Sequence, residues 1–172
     1  YLELSDLRID IWKFCKELRR ADGVVVGRLD SRIMGQEGRG TADGPENDPS
    51  MSAIRPPYTA AFNRYCREVL GFQTDRSYQI LGGAYAKWDW GKGNQYTDTS
   101  VHLRQAMCRN PHMQVFVASG YYDLATPHFA AEYTFSHMGL PEALRDQIAI
   151  SYHPSGHMMY IESGCLEQLK VD

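Results

Sequence analysis

The chain of 172 residues has no apolar run near the roughly 18–20 residues that a membrane-spanning helix needs, so no membrane partner is expected. It has no excess of positive charge: 18 basic residues against 21 acidic ones leave a net charge of −3. Nucleic acids and anionic surfaces are bound through clustered Lys and Arg, so no nucleic-acid partner is expected either. Cysteine is scarce. Cys15, Cys66, Cys108 and Cys165 lie far apart with no Cys-x-x-Cys, which argues against a zinc ribbon or a thioredoxin-type site. Each falls among apolar residues in a helix-like stretch, as buried free thiols do; in an exported protein one or two disulfides are the alternative. There is no internal repeat, no apolar leader and no initiator methionine, and the last residues, LEQLKVD, read as an interrupted helix. The ends therefore suggest an excerpt of a longer polypeptide, or, for the start, a mature terminus left by processing.

What is present is 43% hydrophobic and 23% charged residues, enough apolar material for one domain with a sizeable core or two small lobes. Asp10 followed by Ile11, Phe14, Cys15 and Leu18 at i, i+3, i+4, i+7 spacing predicts an amphipathic helix over 10–21, closed by Gly23. Val24-Val25-Val26 predicts a short β-rich run. Residues 35–57 carry Gly35, Gly38, Gly40, Gly44, Pro45, Pro49, Pro56 and Pro57, and predict a long loop. A helix is expected over 57–70, with Pro57 in its first turn and Gly71 at its end. Residues 78–96, with Tyr78, Tyr85, Trp88, Trp90 and Tyr96 among Gly82, Gly83, Gly91 and Gly93, either line a pocket or cover a core.

From about residue 98 helices and strands alternate. A helix near 98–109 stops before Pro111, and Val115-Phe116-Val117-Ala118 predicts a buried strand. Thr126 as N-cap and Pro127 at the first position predict a helix that ends near Gly139. A helical turn after Pro141, a strand over 147–152 and a last helix from near Ser163 follow. Strand, helix, strand with short connections implies a parallel pair with a right-handed crossover. Two strands close a core poorly, so the rest of a sheet is expected outside this stretch.

Asp123 and His157 each follow one of these strands. Catalytic groups of α/β sheets collect at the carboxyl ends of strands. An aspartate there can orient a histidine and stabilise its imidazolium; the alternative is a turn residue tying down its own loop. His157, after Gly156, can serve as general base and then general acid, or as a structural histidine at a loop corner. Gly156 is expected to let the loop turn tightly. His153 and His157 have metal-ligand spacing only on a helix, which Pro154 and Gly156 argue against. No Gly-x-Ser-x-Gly occurs, neither Ser119-Gly120 nor Ser155-Gly156 suits a nucleophile elbow, and no cysteine is better placed.

VASGYYDLATP followed by YHPSGHMMY closely resembles the C-terminal part of serine carboxypeptidases of the S10 type, bacterial members above all. In that family the catalytic aspartate lies in an SG-x-x-D context, matched by Ser119 to Asp123, and the catalytic histidine in a GHM motif, matched by Gly156-His157-Met158. VGRLDSR at 26–32 and AIRPPYTAAFN at 53–63 resemble the helical cap that bacterial members insert before these strands. The resemblance spans essentially the whole chain. It implies an α/β class: the C-terminal portion of an α/β-hydrolase fold at 97–172, with a mostly helical cap lobe at 1–96. It also implies release of C-terminal amino acids from peptides through an acyl-enzyme on serine, typically at acidic pH, without metal or organic cofactor, in a periplasmic or secreted protein. Asp123 would orient His157, His157 would be the base, and Met158 would line the site beside the leaving amino acid.

Many eukaryotic members have proline two residues after that methionine, where Tyr160 stands here, so their substrate preferences do not carry over while the triad roles do. The GESYGG-type nucleophile segment is absent, as are the groups that bind the substrate's terminal carboxylate. The chain alone is therefore expected to be inactive. Its expected partners are peptide substrates and the N-terminal portion of the same enzyme, or further copies of itself through exposed sheet edges. The alternatives are an acyltransferase, esterase or lyase relative with the same triad, and a non-catalytic binding module using residues 85–96 as a contact surface.

Overall fold

A computed structural model describes residues 9–38, 42, 44–81, 83, 87–89 and 97–172. Expectations resting on Gly40, Gly82, Tyr85, Trp90, Gly91, Gly93 and Tyr96 lie outside the described residues. The chain mixes helices with two small sheets, one antiparallel and one parallel.

Asp10 caps the first helix, α1 (Ile11–Glu17), by accepting the Lys13 amide at 2.9 Å. The helix is shorter than the predicted 10–21: a 3₁₀ turn at Arg20–Asp22 follows, and Gly23 at φ 68° closes it in the left-handed conformation that glycine tolerates best. The chain then forms β1 (Val24–Val26), antiparallel to β2 (Met34–Gln36).

The predicted loop over 35–57 gives way to helix α2 (Pro49–Glu68), which begins eight residues before the expected start at Pro57. The start signal is Asp48-Pro49-Ser50. The Asp48 carboxylate accepts the Ser50 amide at 3.0 Å, and Pro49 takes the first helical position, where its missing N–H costs nothing. Pro56 and Pro57 thus sit inside the helix, both exposed, where they remove two backbone donors without ending it.

The C-terminal half follows its predicted order: α3 (Ser100–Arg109), β3 (Val115–Gly120), α4 (His128–His137), a 3₁₀ turn at Glu142–Gln147, β4 (Ile148–His153), a second turn at Met159–Ile161, and α5 (Ser163–Val171). Strands β3 and β4 pair in parallel, from Val115 opposite Ile148 to Gly120 opposite His153. Both carboxyl ends therefore open on the same side. Thr126 does not cap α4: Pro127 holds the cap position, and the threonine hydroxyl is engaged elsewhere.

Residues 1–50 and 98–172 form one compact unit and residues 51–97 another. The first fifty residues thus group with residues 98–172 rather than with residues 51–97. Two small cores account for this unit. In one, Cys15, Val25 and Val26 are buried, with Ile11, Leu18 and Leu124 packed against them. In the other, Met107, Met138 and Leu140 are surrounded by Leu103, Met113, Val115, Phe135, Leu144 and Ile148. Leu124, one residue after Asp123, thus ties the loop beyond β3 to the N-terminal segment. In the 51–97 unit, Phe62 stacks on Tyr78 with ring centroids 4.1 Å apart, and Trp88 is exposed.

Candidate active site

Beyond the Gly120–His153 rung the two strands run out into loops whose backbones stay together. The Tyr121 amide donates to His153 O and the Tyr122 amide to Ser155 O, each at 3.0 Å. Asp123 comes next on one side and His157 on the other. Asp123 Oδ2 lies 2.8 Å from His157 Nδ1. The same oxygen accepts the Thr126 hydroxyl at 2.5 Å, and Oδ1 accepts the amides of Ala125 and Thr126 at 2.7 and 3.0 Å. Asp123 therefore fills both roles open to it in the sequence: it ties down its own loop and faces the imidazole.

The Asp123 side chain is 4% exposed and that of His157 is 43% exposed. Burial pushes the Asp123 carboxyl up, but donation from His157, the Thr126 hydroxyl and two amides outweighs it, and its pKa falls below the ordinary value. The His157 pKa is raised, chiefly by its hydrogen bond to Asp123; burial and the Arg28 charge oppose this in part. A carboxylate on Nδ1 fixes the tautomer and leaves Nε2, across the ring, with no hydrogen-bond partner among the described residues. The Thr126 hydroxyl lies 3.2 Å from Nδ1, on the carboxylate side of the ring, and so is not placed as a nucleophile for Nε2. Met158 is half-buried directly after His157.

The glycine before the histidine acts differently from its sequence expectation. Gly156 is not among the glycines at positive φ. Its importance is close approach: a Cβ there would run into Leu29 O and the Cα and Cβ of Asp30. Gly120 is equally confined, against the backbone of Ser155 and Gly156. The histidine loop is pressed between β3's end and residues 29–30.

None of the described serines reaches Nε2. The Ser155 hydroxyl is fully buried and bonded to Arg32 and Glu162, and Ser50 bonds to Asp48 and accepts the Leu29 amide. Cys15 is buried in the first core and its thiol is pushed up to about 11, chiefly by burial, which makes it a poor nucleophile. All four cysteines are free, Cys15 and Cys165 buried, Cys66 partly buried and Cys108 exposed. His153 ends β4 fully buried, its Nε2 3.9 Å from Asp172 Oδ2, while His157 lies in the loop beyond, so the two share no helix face. Clefts lined by Phe62, Cys66 and Tyr78, by Gln73, Thr74 and Asp75, and by Phe135, Leu140, Ile148 and Ile150 lie elsewhere, and none of these includes Asp123 or His157.

Comparison with family models, with curated proteins and with solved structures gives no match to the chain.

Proposed function

We propose that this chain carries the acid and the base of a serine carboxypeptidase-like α/β-hydrolase, with the nucleophilic serine on polypeptide outside these residues. The observation that carries the reading is the 2.8 Å Asp123–His157 hydrogen bond at the carboxyl ends of two adjacent parallel strands, with Nε2 open. In this reading Nε2 takes the serine proton as Oγ attacks the carbonyl of the last peptide bond. Asp123 stabilises the imidazolium, and Nε2 returns the proton to the nitrogen of the departing amino acid. Water, deprotonated by the same imidazole, then attacks the acyl carbonyl, and the imidazolium returns the proton to serine Oγ as the bond from the acyl carbon to Oγ breaks. Met158 lines the side of the leaving amino acid. No metal or organic cofactor enters these steps.

The small sheet supports the reading. Strands β3 and β4 have no third strand partner among the described residues, and Phe116, Phe129 and Tyr133 on β3 and α4 are exposed. An α/β-hydrolase sheet has more strands, and unpaired edges with exposed apolar side chains are where the remainder would pack.

The 172-residue chain should release no amino acid from N-blocked dipeptides, whereas a longer gene product containing it should. Release by the chain alone would refute the external serine. Acyl transfer from acyl-glucose donors by the longer protein, without peptide hydrolysis, would replace the peptidase with an acyltransferase.

A further inference from the structure

Residues 28–32 lie between the two loops that carry the pair and bond to both. On the histidine side, Leu29 O accepts the His157 amide at 2.7 Å, and the Arg32 guanidinium donates to Pro154 O at 2.9 Å and to Ser155 Oγ at 3.3 Å. On the acid side, the Leu124 amide donates to Arg28 O at 3.0 Å and the Ser31 amide to Tyr122 O at 2.9 Å, while the Arg32 guanidinium carbon sits 4.8 Å from the Tyr122 ring centroid. Arg32 is itself held. Buried Asp30 receives its Nε and one terminal nitrogen at 3.0 and 2.6 Å, and that terminal nitrogen also meets Glu162, whose carboxylate takes the Ser155 hydroxyl at 3.1 Å.

Backbone hydrogen bonds tie the two strands and their loops to each other only as far as Tyr122 and Ser155. Asp123 and His157 lie one and two residues further on, so their separation depends on what else grips the loops. Leu29 holds the amide of His157 itself, and Arg32 holds the two residues before Gly156. We propose that Arg32, clamped by Asp30, is a positioning residue that keeps His157 within hydrogen-bond reach of Asp123. A planar fork takes the buried carboxylate through two bonds and reaches a carbonyl and a hydroxyl with its remaining donors; a lysine ammonium has the charge without that geometry. Misplacement by about 1 Å is enough to disable such a pair.

The proposal rests on the acid–base reading of Asp123 and His157 but is measured without a peptidase assay. The His157 titration and its Nδ1–H proton resonance are followed by NMR in the chain as it stands, in Arg32→Ala and in Arg32→Lys. Arg64→Ala, which removes an exposed arginine paired with Glu68, is the control. Direction separates the causes. Removing a positive charge alone raises a histidine's pKa, whereas moving the imidazole off its carboxylate lowers it. Arg32→Ala should shift the His157 titration down towards the ordinary histidine value and abolish the Nδ1–H resonance. Arg32→Lys should do the same to a smaller degree, and Arg64→Ala should change neither. An upward shift, or no shift in a folded Arg32→Ala protein, overturns the proposal. If Arg32→Ala does not fold, Arg32→Lys decides, and a wild-type titration there overturns it. Dependence on Arg32 in a protein whose longer form hydrolyses no peptide would uphold the positioning role and refute the carboxypeptidase reading.

Discussion

Gly156→Ala should destabilise the protein and separate His157 from Asp123. The added Cβ has no room, because Leu29 O and Asp30 occupy its place. Neither neighbour can retreat cheaply: Leu29 O accepts the His157 amide, and Asp30 is held by Arg32. Overpacking of this kind costs typically about 1–3 kcal/mol, and more where backbone must move. The strain is relieved most directly by lifting the histidine loop, so the His157 titration should fall towards its ordinary value along with the melting temperature. Gly164 supplies the contrast. It is the second residue of α5, with nothing near its would-be Cβ, so Gly164→Ala should raise stability slightly, by less than the about 0.5–1 kcal/mol of a helix interior. Chemical denaturation of the two variants, with NMR of His157, checks both. A Gly156→Ala protein as stable as the parent, with His157 still on Asp123, would contradict this packing.

In a longer protein that supplies the proposed serine, Asp123→Asn should lower kcat on blocked dipeptides by on the order of 10⁴-fold with a much smaller change in KM, because it removes a group that acts on the imidazolium rather than on bound peptide. His157→Ala should cost at least as much, and the double variant little more than the worse single one, since the two residues act as a unit. The pH dependence follows from the direction of the His157 shift. A general base must be neutral, so a raised pKa places the acid limb of kcat/KM above the ordinary histidine value of 6.5. That runs against the acidic working range that the family resemblance implies. Asp123→Asn should move the limb to lower pH as it lowers the rate. Independent, multiplicative losses in the double variant would contradict a shared proton-transfer role.

The parts of this structure set by local pattern were legible in the sequence. Apolar runs around 115–118 and 148–152 become β3 and β4, Asp10 caps α1, and Gly23 closes the following turn. Placement of Asp123 and His157 after successive strands followed from the same pattern, and the parallel register brings them together. Other features depended on signals that compete. Pro56-Pro57 outweighed Asp48-Pro49-Ser50 as a helix marker, although the earlier proline is the one at the first helical position. Met34-Gly35-Gln36 has no strand-forming residues and is a strand only because Val24–Val26 lies alongside. Thr126 looked like a cap because its hydroxyl's true partner, Asp123, takes the place of a helix amide. The Asp30–Arg32 clamp was out of reach altogether, because its contacts at Pro154, Ser155 and Glu162 lie more than a hundred residues away in the chain.

If Asp123 and His157 are the acid and base proposed above, the serine they serve lies outside residues 1–172. A fluorophosphonate probe applied to a longer protein containing these residues, followed by peptide mapping, locates that serine. One labelled serine is expected outside these residues, and no labelling once His157 is replaced by alanine. Labelling of a serine within residues 1–172, or labelling that survives His157→Ala undiminished, would contradict it.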